Sequence, residues 1–341
     1  MLVSVSFLVR AWDLIWDADP SRAIQENPWS KISGNLVGYV GDGPLRPDNI
    51  SVNVAVPSEK IIHLHEKNHP NWYNFDDFVC LNFNFTWDEV LFSAARENSI
   101  KSGLPASEIT EAATRYLGTI SNSIAQRFIA LANIGIPGLA SNRFSAVHSE
   151  NFYEEGAACG SWLELIYEDS SLYKSKPLKS IPITDCLSWG KSLRGVWSDL
   201  PKTNVERAFS YFSHSFYEDF TGHLNGIVWA MGALDAFYCE SAVGLSEKIK
   251  KRVPKIFNGV DINILKKSLN AIYSDRSRVY HGDVAFPMNF FDPYHEMEES
   301  ESHLNIFSSL GDLYYIVCGS LQYSVIKGAA EVIFEERVVV R

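Results

Sequence analysis

The sequence predicts an α+β protein, with an N-terminal mixed β/α domain over residues 1–190 and a C-terminal α-helical bundle over 191–341. Three observations lead there. Segments alternating between apolar and polar residues dominate the first 85 residues. Three- and four-residue hydrophobic periodicity dominates from about residue 200. Between them, Pro177 and Pro182 flank a polar connection, which places the boundary near 185–200. With 341 residues, 46% hydrophobic and 13% aromatic, the chain can bury two such cores and is not disordered.

The opening residues Met1 to Val9 alternate as a strand does. They lack a basic leader and a small-residue cleavage site, so they do not read as a signal peptide. Ser51 to Val56 alternates through Val52, Val54 and Val56. In Cys80 to Phe85, Leu81, Phe83 and Phe85 face one way and Cys80, Asn82 and Asn84 the other. Thr86-x-x-Glu89 predicts a capping box and a helix start. A longer helix is expected from about Ser107 to Asn133, where Ile109, Ala113, Tyr116, Ile120, Ile124 and Phe128 recur at helical steps, with Gly135 and Pro137 ending it. Residues 144–185 read as short strands and turns, including a strand over Trp162 to Glu168. Thr203-x-x-Glu206 predicts a second capping box and a helix to about Phe220. Helices then follow over about His223–Ser241, Leu245–Phe257 (with Pro254 inside) and Asp261–His281, which Gly282 stops. Five acids in Asp292–Glu301 suggest an exposed loop. A last helix covers roughly Leu304–Lys327, and Glu331 to Val340 alternates weakly as a terminal strand.

No stretch reaches eighteen apolar residues, so no membrane partner is expected. The five cysteines are scattered, with no C-x-x-C, which fits a reducing, cytoplasmic setting. The formal charge is −11, but residues 190–285 hold 13 Lys and Arg against 10 Asp and Glu. A mildly basic region in an acidic chain is where a polyanion would bind. Its run of Lys248, Lys250, Lys251, Arg252 and Lys255, with Lys266 and Lys267, reads either as a solvated helix face or as a phosphate-binding stripe.

Motifs for cofactor chemistry are missing. There is neither G-x-x-x-x-G-K-[ST] nor G-x-G-x-x-G, nor a G-x-S-x-G nucleophile elbow, so no cofactor is expected. His63, His65 and His69 put two histidines on one face of a strand but lack a third ligand, and read as solvated residues rather than a metal site. What remains is Arg followed by His after a short gap: Arg143/His148, Arg207/His214 and Arg276/His281. The pair suits RNA cleavage. A histidine can take the proton of the 2′-hydroxyl or supply one to the leaving oxygen, and a guanidinium can hold the phosphate bidentately. Arg143/His148 lies among short strands. Arg207/His214 shares one helix face but sits among large aromatics, where packing explains it as well.

The third match has company. Around Asp235, an apolar helix carries a central acid. Ser246 to Arg252 follows as Ser-x-x-Ile-x-x-Arg, and the end reads Tyr273-x-x-Arg276-Ser277-x-x-x-His281-Gly282. This order over residues 200–330 resembles the HEPN superfamily, in its Apea-like branch. The resemblance implies a HEPN-like helical bundle, usually dimeric. It also implies a metal-independent endoribonuclease with Arg276 and His281 as catalytic residues, and a toxin or antiphage role against cellular RNA such as tRNA. Asp235, Ser277 and Tyr280 would support the centre, and Lys248, Lys250, Lys251, Arg252 and Arg278 would hold RNA. The chain departs at Ser277, where many members have Asn, Asp or His, and at Asp235, where Glu is frequent. Two other readings stand beside it: a catalytically silent dimerisation or RNA-binding bundle, and a ligand sensor acting through the N-terminal domain.

Independently of the resemblance, Leu224, Val228, Met231 and Asp235 fall on one helical stripe, which places a carboxylate against apolar surroundings. It needs a partner, with Arg276, Arg252 and His281 as candidates. One Arg/His pair supplies one proton-transfer group, so a homodimer that brings two copies of His281 into one cleft is expected.

Overall fold

The computed structural model describes residues 1–10, 27–32, 34–42, 45–59, 61–63, 78–139, 142–149, 152–155, 170–197, 200–215, 222–240, 244–281, 283 and 301–335. Mixed α+β architecture is what it shows. Strands β1 (Leu2–Arg10), β2 (Asn49–Ala55), β3 (Phe78–Thr86), β4 (Asn142–Ser149) and β5 (Phe152–Glu155) form one antiparallel sheet in the order β2-β3-β1-β4-β5. Register follows the alternation in the sequence. Val5 pairs with Phe83 and Val147, and Val52 pairs with Phe83, so one face is apolar across β2, β3 and β1. Ser6 pairs with Asn82, and Asn82 with Asn53, so the opposite face is polar.

After β3 come helices α1 (Glu89–Lys101) and α2 (Ile109–Gly135). The expected Thr86/Glu89 capping box does not form. Thr86 is the last paired residue of β3, and Asp88 caps α1 instead, its carboxylate accepting from the Val90 N–H at 3.1 Å. Helix α2 covers the apolar sheet face. Phe128 stacks on Phe83 with centroids 6.0 Å apart, and a Cβ at Gly118 would lie 2.8 Å from Val147 Cγ1, so that approach needs glycine. On the expected stripe Ala113, Ile124 and Phe128 are buried, but Tyr116 is exposed.

From Ser171 onward helices stand where short strands and turns were expected up to residue 185. Here lie α3 (Ser171–Ser175), α4 (Ile183–Ser192) and α5 (Arg194–Trp197). The possible strand over Trp162 to Glu168 lies outside the described residues. Leu187, Trp189, Leu193 and Val196 join one core that is continuous from Phe83 in the sheet to Phe212 and Leu321 in the helices.

The rest is α6 (Asn204–His214), α7 (Gly222–Tyr238), α8 (Leu245–Ile256), α9 (Ile262–His281) and α10 (Glu301–Lys327). The Thr203/Glu206 capping box is complete. The Glu206 carboxylate accepts from the backbone N–H groups of Gly195, Lys202 and Thr203 at 2.9–3.1 Å. Burial pushes its pKa up, but those donors and the Thr203 hydroxyl outweigh it, and the net shift is down. Helix α10 is the hub, buried from Ser309 to Gln322 and packed on α7, α9, α6, α3 and α2. Its Asp312 accepts from Ser170 Oγ, Ser171 Oγ and the Leu172 N–H, and its Gln322 Nε2 donates to the carbonyls of Ile134 and Lys179. Residues 331–335 are not a strand. The Asn204 side chain takes up both the N–H and the carbonyl of Val332, which removes that backbone from any ladder. Gly282, the acidic stretch 292–300 and residues 336–341 lie outside the described residues.

No helix among the described residues is long and apolar enough to cross a membrane.

Candidate active site

Helix α9 begins where Asp261 Oδ1 accepts from the Asn263 N–H at 2.7 Å. Its inward face is Leu265, Ser268, Leu269, Ile272 and Asp275. Buried Asp275 accepts from Ser309 Oγ on α10 at 2.6 Å and from Arg278 at 3.4 Å, fixing the rotation of α9 about its axis. That rotation points the neighbouring edge, Tyr273, Arg276 and Tyr280, toward α7 and solvent; these residues are three and four apart and share one helix face.

On α7, Met231, Leu234, Phe237 and Tyr238 are buried and Asp235 lies at the edge of their stripe. Of the three candidate partners, Arg276 is the one that meets Asp235. Its Nη2 lies 3.6 Å from Asp235 Oδ2, an ion-pair contact longer than a hydrogen bond. The Arg276 guanidinium also lies over the Tyr280 ring, 5.4 Å from its centroid, while keeping 31% of its side chain exposed. Asp235 Oδ1 and the Tyr273 hydroxyl are buried and have no hydrogen-bond partner among the described residues.

Burial governs the ionisable groups here. Burial pushes the Asp235 carboxyl above its usual range, with Arg276 pulling the other way. The Tyr273 phenol is pushed up by burial and by the negative charge of Asp235. Burial, then Asp235, push the Cys239 thiol up to about 11. Cys239 directly follows α7, four residues after Asp235, a spacing that could have marked it in the sequence, as the three-residue step to Arg276 could have marked Tyr273.

His281 is the last residue of α9 and is exposed, with no hydrogen bond or ion pair among the described residues. Five residues along an α-helix turn about 140° and rise roughly 7.5 Å, so Arg276 and His281 do not share a face of α9. Ser277 is exposed beside them.

The basic stripe divides. Lys251, Lys255, Lys266 and Lys267 are exposed, and Lys248 and Lys250 half-exposed. Arg252 is a correction: it is buried, bonded to the Tyr238 carbonyl and to both Glu240 carboxylate oxygens at 2.9 and 3.0 Å, and it lies 5.1 Å from the Phe334 ring centroid. It ties α8 to the end of α7 and is not on the surface to hold RNA. Arg278 is half-exposed and shared with Asp275.

The other two Arg/His matches occupy different surroundings. The His214 ring stacks on Trp229 with centroids 4.8 Å apart and lines a cavity of about 310 Å³ with Arg127, Ser123 and Ser210. Arg207 Nη1 donates to the Lys202 carbonyl at 2.5 Å. His148 lies on β4 with Nε2 2.9 Å from Ser6 Oγ. His63 is in a short helical turn rather than a strand, and His65 and His69 lie outside the described residues. Among the described residues no group of three or more His, Cys, Asp or Glu is placed to hold a metal ion.

No family model, curated protein or solved structure matches this chain.

Proposed function

We propose that the chain is a HEPN-type endoribonuclease that cleaves RNA without a metal ion, acting as a homodimer. The observation that carries this reading is the contact between Asp235 and Arg276. These residues belong to two separate elements of the HEPN resemblance, the acid-bearing helix and the Arg/His helix, and they meet in space. The arginine is held from behind by a carboxylate and from the side by Tyr280, and its exposed edge is free to receive a phosphate.

In the proposed reaction an imidazole takes the proton of the 2′-hydroxyl, and the 2′-oxygen attacks phosphorus. The bond from phosphorus to the 5′-oxygen then breaks, and a protonated imidazole supplies the leaving oxygen with its proton. Arg276 stabilises the charge that builds on the phosphoryl oxygens. The products are a 2′,3′-cyclic phosphate and a 5′-hydroxyl. Because Arg276 and His281 point from different sides of α9, the reading assigns the paired acid and base to two copies of His281 across a two-fold axis. Lys248, Lys250, Lys251 and Arg278 would guide the RNA. A cytoplasmic toxin or antiphage effector is the biological role that the resemblance supplies, with the N-terminal part sensing a trigger, restraining the nuclease or selecting its RNA.

A second reading, a silent dimerisation or RNA-binding bundle, draws on the same geometry: Arg276 already has a carboxylate partner, as a structural ion pair would. Incubating the purified protein with total RNA in EDTA separates the two. Fragments with cyclic phosphate ends support the nuclease. Intact RNA, or cleavage that strictly requires Mg²⁺ or Mn²⁺, refutes it.

A further inference from the structure

The sheet has a face that the nuclease reading leaves unused. Opposite the apolar face, β1, β2, β3 and β4 present Ser4, Ser6, Asn53, Asn82, Asn84 and His148. A sheet face this polar is ordinarily solvated. Here only its centre is covered: Ser6 is 1% exposed and Ser4 8%, while Asn82, Asn84 and His148 are half-exposed and Asn53 is exposed. The side chains are wired together. Ser4 Oγ donates to Asn84 Oδ1 at 2.7 Å, and Asn84 Nδ2 donates to Asn53 Oδ1 at 3.3 Å. Ser6 Oγ donates to Asn82 Oδ1 at 2.5 Å, and Cys80 Sγ donates to the same oxygen at 3.2 Å.

This wiring fixes what the face can still offer. With the Ser6 hydroxyl donated to Asn82, His148 Nε2, 2.9 Å away, is placed to donate to Ser6 in the tautomer that carries a proton there. Asn82 Oδ1 already has two donors. The Nδ2 groups of Asn82 and Asn53 have no partner among the described residues, leaving N–H donors on adjacent strands.

These groups border a cavity of about 410 Å³, within the range of roughly 300–1,000 Å³ that holds small organic ligands. Val56, Ala55 and Ile61 supply an apolar wall, and among the described residues no Lys, Arg, Asp or Glu lines it. Cys80 is held as a neutral thiol, burial pushing its pKa up to about 12. A phosphate or carboxylate would meet no counter-charge among these residues. A flat neutral ring would rest on the apolar wall and present carbonyl oxygens to the amide N–H groups.

We propose that this cavity binds a neutral, carbonyl-bearing ring of the nucleobase type, such as the base of a free nucleoside. The site is separate from Arg276 and His281 and does not depend on the nuclease reading.

Calorimetric titration of the full chain with uridine, adenosine and ribose 5-phosphate tests it. Saturable binding of uridine is expected, with adenosine, which has no ring carbonyl, weaker and ribose 5-phosphate inert. Asn82→Asp keeps an acceptor for Ser6 and Cys80 but removes the donors, and should weaken uridine about tenfold or more. Asn53→Ala, at an exposed position of β2, should weaken it severalfold with an unchanged melting temperature, and carries the test if Asn82→Asp fails to fold. Absence of uridine binding at millimolar concentration overturns the proposal. So does tighter binding of ribose 5-phosphate, or an affinity that Asn53→Ala leaves untouched. Cleavage of RNA by the Asn53→Ala protein keeps the two proposals distinguishable.

Discussion

Two helices of this protein carry an arginine and a histidine within seven residues, and they use them differently. On α6, Arg207 and His214 lie two turns apart on the same side. There Arg207 reaches back to the Lys202 carbonyl and His214 stacks on Trp229. On α9, Arg276 is supported by Asp235 and Tyr280 with an edge left in solvent, and His281 at the helix end has no hydrogen bond or ion pair among the described residues. Geometry along the helix favours the first pair, and availability favours the second. Side chains already committed to packing and to backbone carbonyls must break those contacts to do chemistry. On the proposed reading Arg276 keeps its contacts with Asp235 and Tyr280, and a second copy would bring a histidine to it.

The largest effect expected from this contrast is on cleavage. His281→Ala and Arg276→Ala should each lower the rate by about 10²–10⁴-fold, the range for losing a positioned proton-transfer or charge-stabilising group, with circular dichroism unchanged. His214→Ala and His148→Ala should cleave at nearly the rate of the unaltered chain. A dead His214→Ala beside an active His281→Ala would transfer the centre to α6.

Stability should respond in the opposite region. Glu206 satisfies three backbone N–H groups at the start of α6. Glu206→Ala should cost about 2–4 kcal/mol in urea unfolding, while cleavage per folded molecule stays the same. Because the folded pKa of Glu206 is depressed, its contribution is present above the ordinary carboxyl pKa and is lost as pH falls through the folded value. The cost of the substitution should therefore shrink in acid.

Asp235→Asn should be milder. It removes the charge behind Arg276, and cleavage should fall roughly tenfold, an energy of about 1.4 kcal/mol. Stability should move the other way with pH. Burial raises the folded pKa of Asp235, so its contribution is fully present below the ordinary carboxyl pKa and is lost as pH rises through the folded value. Thermal melts of Asp235→Asn should gain on the unaltered chain between acid and neutral pH. The smallest effect belongs to Tyr280→Leu, which removes the ring beside Arg276 at an exposed position and should slow cleavage only severalfold.

Much of this was legible in the sequence where the cause is local. Alternation of Leu81, Phe83 and Phe85 places β3 because burial on one face demands a period of two. The Thr203/Glu206 box and Asp261 mark their helix starts because caps act within three residues. Thr86/Glu89 has the same spacing and fails because strand pairing, a long-range effect, claims Thr86 first. Arg252 was indistinguishable from its lysine neighbours until Glu240 and Phe334 came together around it. Of the stripe read on α7, Met231 is buried but Val228 is exposed; the half-buried Asp235 still needs a partner, and only packing chose Arg276 from three. The polar sheet face was half visible: Asn82 and Asn84 face away from the core in the sequence, but their wiring to Ser4, Ser6 and His148 depends on strand order.

The central claim is that Arg276 and His281, set on different sides of α9, act together across a two-fold axis. The most direct measurement is the structure of the RNA-cleaving species in solution, by cryo-electron microscopy or crystallography of the dimer fraction that carries the activity. The account predicts a homodimer in which both His281 side chains face one RNA-sized cleft, each beside an Arg276. Two His281 side chains on opposite outer faces, or cleavage by a monomer, would contradict it.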